Sequence, residues 1–204
     1  TSVLVTSGHQ VVAVDQSGYA IQVVKSLSDN WGSDIDLVAI RGDFENLPVI
    51  GPFDCVILSF NALLCLDSDG KAQLLTAVRN LLQPGGLFLL DFYDGSGFID
   101  LEQTDEEPWF YEPEYLRSIE HEGETFDIYQ SGTFFPSELK IVMHYDHFLE
   151  NCEDPDESQT YEITHHLVTL NQFRSLATDL GFGVDGVIER DFDGNTHLFC
   201  TITR

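Results

Sequence analysis

Between residues 11 and 91 the chain alternates short, almost unbroken apolar runs with stretches of helical spacing. The runs are Val11-Val12-Ala13-Val14, ending on Asp15, then Leu37-Val38-Ala39-Ile40, Cys55-Val56-Ile57-Leu58 and Leu87-Phe88-Leu89-Leu90, ending on Asp91. Runs of this length without polar alternation predict strands of a parallel sheet covered on both faces. After the first run, Tyr19, Ile21, Val23, Val24 and Leu27 fit a helix that Ser17 can cap, and the cluster Asp29-Asn30-Trp31-Gly32-Ser33 ends it. A second helix is predicted over 69–82, with Leu74, Leu75, Val78, Leu81 and Leu82 on one face, stopped by Pro84-Gly85-Gly86. The order strand, helix, strand, strand, helix, strand predicts an α/β fold with a doubly wound, mostly parallel sheet. Such sheets bind ligands at the carboxyl ends of their strands.

From about Gly95 the spacing changes to polar and apolar residues in alternation. Residues 115–122, 125–134, 139–149 and 158–168 read as successive antiparallel strands, with the acidic loop 150–157 between the last two. Helical spacing returns over 170–180, closed by Gly181, and two strands near 184–190 and 197–203 flank the turn Asp193-Gly194-Asn195. The expected organisation is a core of residues 1–94 and 169–204 carrying an inserted antiparallel β cap at 95–168.

Charge narrows the partners. Thirty-five acidic residues against nine Lys and Arg give a formal charge of −26, which repels nucleic-acid phosphates and anionic membranes. The sparse lysines, Lys25, Lys71 and Lys140, and dispersed acids resemble proteins of salt-loving organisms; an acidic protein of an ordinary cytoplasm is the alternative. No apolar run reaches the roughly 20 residues that span a bilayer, and no signal-peptide pattern opens the chain, so a cytoplasmic protein is expected. The cysteines, Cys55, Cys65, Cys152 and Cys200, show no C-x-x-C spacing. Free thiols are expected, with Cys55 and Cys200 acting as small apolar strand residues.

Several pieces in order carry a resemblance: residues 8–17 around Val11 to Asp15, the pair Gly42-Asp43, the run Phe53 to Leu58, the turn Leu82-Gln83-Pro84-Gly85-Gly86, and the late pair Gly181-Phe182. Together they resemble a class I S-adenosylmethionine-dependent methyltransferase of the small-molecule kind. The resemblance implies S-adenosylmethionine as cofactor. Asp15, with Gln16 and Ser17, would hold the ribose; Asp43 and Phe44 would hold and flank the adenine; Ser59, Phe60 and Asn61 would lie beside the methionine moiety. For Asp15 and Asp43 the bland readings are a helix cap and a plain turn.

Methyl transfer needs alignment and exclusion of water, with a base only where the acceptor must lose a proton. His166, His144 and Tyr129 are the chosen catalytic candidates, among a wider set that includes His147, His165, Tyr93 and Tyr145. Tyr93, Trp109 and Tyr129 are candidate walls for a small-molecule acceptor under the cap. Strand alternation lets at most one His join Asp146 on one face of 144–147, so no metal site is expected there. A monomer, or a homodimer through the cap, is expected. Two other readings are a nicotinamide-dependent oxidoreductase and a degenerate methyltransferase domain serving as a binding module.

One piece of the resemblance is missing. Ser2-Val3-Leu4 reads as the start of the family's first strand, and residues 5–10 as the end of the helix that follows it. Six residues separate Leu4 from Val11, fewer than a parallel crossover takes. The glycine-rich loop and most of its helix are therefore expected to be skipped between Leu4 and Val5, or else lost, with the grip on the cofactor.

Overall fold

The computed structural model of the 204-residue chain describes every residue except 29–34, 45, 99–106, 122, 150–158 and 193–194. The cluster 29–33, the acidic loop 150–157, Cys152 and most of the turn 193–195 lie outside the described residues.

The chain opens on helix α1 (Ser2–Thr6), then β1 (Val11–Asp15), α2 (Gly18–Ser28), β2 (Leu37–Arg41), β3 (Phe53–Leu58), a 3-10 turn (Ala62–Cys65), α3 (Ser68–Leu81) and β4 (Leu82–Tyr93). Strands β5 (Trp109–His121), β6 (Glu124–Phe135), β7 (Lys140–Leu149) and β8 (Gln159–His166) follow, then α4 (Leu170–Asp179), β9 (Gly183–Phe192) and β10 (Asn195–Thr203). Strands β5-β6-β7-β8 form one antiparallel sheet in sequence order. Strands β3-β4-β10-β9 form a second, parallel between β3 and β4 and antiparallel beyond. β1 and β2 pair in parallel as a third.

The start of the chain corrects one expectation. Ser2-Val3-Leu4 is helical, continuous with Val5 and Thr6: Val5 N–H donates to Thr1 O (3.2 Å), Ser7 N–H to Val3 O (3.1 Å), and Val5 is buried. Leu4 and Val5 are consecutive residues of one helical turn. Val5 packs inward while Val3 stays exposed, the one-sided burial of a helix. With no strand formed before β1, the parallel pairing is discontinuous, β1 bonding β2 and β3 bonding β4.

A second correction concerns burial. One face of the β3-β4-β10-β9 sheet carries the core: Phe88, Leu90, Phe92, Leu198, Cys200 and Ile202 pack on Leu74, Leu75 and Val78 of α3 and on Phe173 and Ala177 of α4. The Phe92 and Phe173 rings meet at 5.1 Å between centroids, and burying each such side chain is worth roughly 1.5–3 kcal/mol. The other face leaves Ile57, Leu87, Phe199 and Ile188 exposed, and Cys55 with them. Unbroken apolar runs imply two covered faces; among the described residues, helices cover one.

Helix ends follow their residues. Asp67 caps α3 by accepting from Gly70 N–H (2.8 Å). Thr169 and Gln172 form a reciprocal capping box at α4, and Gly181 at φ +81° closes it as its spacing predicts. Helix α3 does not run on to Pro84: Leu82 is already extended, and Pro84-Gly85-Gly86 lies inside β4, where Gly85 N–H donates to Arg204 O and Arg204 N–H to Gly86 O. A residue close before proline is biased out of the helical region. Strand β5 also begins earlier than the alternation suggests, taking in Trp109, Phe110 and Tyr111.

The β5-β6-β7-β8 sheet, expected as a cap, lies in the chain between Asp94 and Val168, and these two residues bridge one another. Gly95 N–H donates to Val168 O (3.0 Å), and Asp94 Oδ1 accepts from Leu170 N–H at the start of α4 (3.2 Å).

Candidate active site

The carboxyl ends of β1, β2 and β3 carry the three expected groups. Asp15 Oδ1 accepts from Ser17 N–H (2.7 Å), and Ser17 Oγ accepts from Ala20 N–H (3.2 Å), which caps α2. Asp15 therefore closes the turn that leads into α2, using one of its two carboxylate oxygens, while Ser17 caps the helix. Arg41 Nε donates to Gln16 O (3.0 Å) and pins the same exposed turn. Gly42 N–H donates to Asp15 O (3.0 Å), drawing the end of β2 against the end of β1. A Cβ at Gly42 would stand 2.4 Å from Pro48 Cγ, so only glycine admits this approach. Asp43 is exposed beyond it; Phe44 is half-buried and packs against the main core.

At the end of β3 the backbone is unusual. Phe60 (φ 61°) and Asn61 (φ 56°) are both left-handed, a costly conformation for side-chain-bearing residues. Asp91, at the end of β4, holds them there: its Oδ1 accepts from Phe60 N–H (3.0 Å) and its Oδ2 from Asn61 N–H (3.4 Å). His197 Nε2 lies 3.0 Å from the same Oδ2. Because a carboxylate only accepts, the imidazole is the donor. The His197 ring packs on Tyr93 (4.9 Å) and stacks on Phe199 (5.1 Å). The Asn61 side-chain oxygen is buried and accepts no hydrogen bond, whereas buried polar atoms ordinarily have partners.

The cap presents one face to this region. Buried Phe134, with Ile141 and Trp109 beside it, packs into the core. In the observed register His165 lies opposite Ile141, and Tyr145 follows Ile141 by four residues, so both belong to that core-facing side. Burial pushes the His165 imidazole below its usual range, helped by His166 and Lys71. Burial pushes the Tyr145 hydroxyl up, with smaller contributions from Tyr93 and Cys65. Beneath β8, Lys71 is 4% exposed and donates to Leu66 O and to His166 O (2.8 Å). Burial lowers its amine to about 8 against the opposing pull of Asp67 and Cys65.

The sequence-derived catalytic candidates are placed differently. His144, His166 and Tyr129 share the opposite face of the cap: His144 pairs across from Glu162, with 4.0 Å between Nδ1 and Oε1, and Tyr129 packs edge-on between Tyr115 and Phe148. Trp109 and Tyr129, expected to wall one acceptor site, thus lie on opposite faces, while Tyr93 stands at the end of β4 beside His197. His165 and Tyr145 were within the wider candidate set, and strand parity alone could not say which face met the core. Asp91 and His197 had no assigned role. The available signal for Asp91 was an acid ending an apolar run, the same signal that singled out Asp15. Cys55, Cys65 and Cys200 are free thiols, but only Cys200 is buried; Cys55 faces outward, against expectation. Among the described residues no cluster of three metal-ligating side chains occurs, and no helix is long and apolar enough to cross a membrane.

Comparison with known proteins bears on the fold and the family resemblance. Residues 1–86 match the family model described as a methyltransferase domain. A curated relative, the cypemycin N-terminal methyltransferase of a Streptomyces species, is 33% identical over 96 residues, 47% of this chain and 38% of that protein's length. The CcbJ methyltransferase of Streptomyces caelestis superposes with a TM-score of 0.75 at 17% identity, covering 99% of this chain and 82% of that one. An S-adenosylmethionine-dependent methyltransferase of Clostridium acetobutylicum gives 0.73 at 14% identity, covering 98% and 77%. The glycopeptide N-methyltransferase MtfA, also solved with S-adenosylhomocysteine, gives 0.60 at 17%, covering 99% and 75% in that complex. Residues 1–86 thus resemble a methyltransferase domain, and the chain as a whole takes the Rossmann-like fold of the solved S-adenosylmethionine-dependent methyltransferases.

Proposed function

We propose that the chain binds S-adenosylmethionine across the ends of β1, β2 and β3 and directs its methyl group to an amine of a small-molecule or peptide acceptor beneath the cap. The observation that carries this reading is the buried, unpartnered Asn61 oxygen, set in a left-handed turn at the end of a parallel strand. An acceptor atom kept out of water without a partner suits a ligand that brings a donor, and the methionine ammonium is one.

The bound cofactor would supply a methyl group already activated on a sulfonium. The protein's part is holding and aligning. Asp15, with Gln16 and Ser17 in the turn that Arg41 braces, has a second carboxylate oxygen to accept from ribose hydroxyls. Asp43 accepts from the adenine amino group, and Phe44 closes the ring's core side. Ser59, Phe60 and Asn61 line the methionine end. Nothing in the 204 residues supplies a glycine-rich loop before β1 for the methionine carboxylate.

The amine reading draws on the N-methyltransferases among the similar proteins and on the cap. An ammonium must lose a proton before it attacks. His165, held neutral at neutral pH by burial and lying on the core-facing side, is better placed to take that proton than His144 or His166. Tyr145 shares that side of the sheet and lies near Tyr93. The chain spans 38% of the curated relative's length, so the acceptor is a matter for experiment.

Calorimetric titration with S-adenosylmethionine, S-adenosylhomocysteine and NADH tests the reading. Micromolar binding of the first two, without NADH, is expected. Binding of NADH alone would favour an oxidoreductase, and binding of none a non-catalytic module. Transfer of labelled methyl to amine acceptors, lost in His165→Ala and kept in His144→Ala, tests the base assignment.

A further inference from the structure

We propose that Asp91 and His197 are positioning residues that hold the Ser59–Asn61 turn in its ligand-competent form, so that Asn61 Oδ1 meets the donor-bearing methionine end of the cofactor. The proposal deepens the cofactor reading and rests on it.

Three observations converge. First, two consecutive residues with side chains occupy the left-handed region, and both send their N–H groups to one carboxylate: Phe60 N to Asp91 Oδ1 at 3.0 Å and Asn61 N to Oδ2 at 3.4 Å. Left-handed backbone persists only where the surroundings impose it. Packing does not impose it at Phe60, whose side chain is 92% exposed. The carboxylate is what imposes it. Second, that carboxylate is itself oriented. The His197 N–H donates to Oδ2 at 3.0 Å, both side chains are largely buried, and the imidazole is held between Tyr93 and Phe199. Because β10 pairs with β4, His197 lies opposite Tyr93, two residues from Asp91 and on the same face. Third, the turn so held contains the buried side-chain oxygen of Asn61, without a hydrogen-bond partner.

The arrangement is a relay of orientation across three strands, from β10 to β4 to the end of β3. Asp91 touches the turn and His197 touches Asp91; neither is assigned contact with the reacting atoms. Removing the charge and one acceptor from Asp91 would let the turn relax toward the ordinary helical or extended regions, moving Asn61 Oδ1 from its place.

The test compares wild type with Asp91→Asn, His197→Gln and His197→Phe, using two measurements. Amide exchange by NMR at Phe60 and Asn61 reads the turn without any ligand. Calorimetry with S-adenosylmethionine reads the consequence, and a thermal melt separates both from loss of fold. Asp91→Asn is expected to speed exchange at these two amides at least tenfold and to weaken cofactor binding about tenfold, with little change in melting temperature. His197→Gln, which keeps an N–H donor, should stay near wild type, and His197→Phe should fall between. Wild-type exchange rates in both Asp91→Asn and His197→Phe would overturn the proposal, as would cofactor affinity that follows melting temperature alone. Should Asp91→Asn fail to fold, the contrast between the two His197 variants still decides. Fast exchange in the variants of a wild type that binds no S-adenosylmethionine would sustain the positioning role and sink the cofactor reading instead.

Discussion

Asp15 and Lys71 show how differently single charges are used in this molecule. Asp15 is exposed and spends one oxygen on the turn before α2, so its second oxygen can serve a ligand at little cost to folding. Replacing Asp15 by Ala is expected to weaken S-adenosylmethionine binding by about tenfold, near the ~1.5 kcal/mol of a hydrogen bond to a charged group. Calorimetry should show the loss while the melting temperature falls only slightly, since Ser17 still caps the helix. Lys71 is the reverse case. Its buried amine satisfies two carbonyls, one on the way into α3 and one at the end of the cap. The unfolded lysine keeps its proton to about 10.5, and the folded one releases it from about 8. Between these values the unfolded chain binds more protons, so stability rises as pH climbs through this window. Urea unfolding at pH 8 and pH 10 should show that rise in wild type and a flatter response in Lys71→Met. The same variant should be destabilised by ~1–3 kcal/mol at pH 8 through the carbonyls left without a donor.

At the level of elements, the helices and strands that pack on the core were legible from the chain, and those that depend on a neighbour were not. The periodicity of Leu74, Leu75 and Val78 placed α3 within a residue, and the alternation of the cap strands gave four antiparallel partners. Ser2-Val3-Leu4 misled because three residues carry no period: a short apolar run is equally a strand or one turn of helix. The exposed side of β3, β4 and β10 misled for a related reason. An apolar run reports which residues could be buried, and coverage is decided by other elements. Asp15 was conspicuous as an acid ending an apolar run; Asp91 bore the same mark, but its partner His197 is 106 positions away and invisible to local spacing. Which face of the cap meets the core was illegible, since parity divides residues into two sets without saying which set is covered. The capping box of α4 offers a direct check at this scale. Thr169→Ala removes the acceptor for Gln172 N–H, and a loss of about 1 kcal/mol is expected in denaturant unfolding.

The whole molecule carries a formal charge of −26 at neutral pH, from thirty-five acids against nine Lys and Arg. Self-repulsion of this size destabilises the compact state and is screened over ~3 Å at 1 M salt against ~10 Å at 0.1 M. The melting temperature should therefore rise as sodium chloride is raised from 0.1 to 1 M, in a calorimetric scan; a flat response would show that the acids are too dispersed to repel. The junction of cap and core bears on how such a chain is assembled. Asp94 and Val168 bridge one another, so the chain leaves the core for the cap and rejoins it at one place. Closing a loop costs more entropy the longer it is, by ~0.6 kcal/mol for each doubling. The cap strands, though, pair in sequence order through local hairpins, and a sheet already formed brings its own ends together. Assembly can then proceed with the cap as an early, self-shortening unit, after which α4, β9 and β10 find a core whose two halves are no longer far apart along the chain.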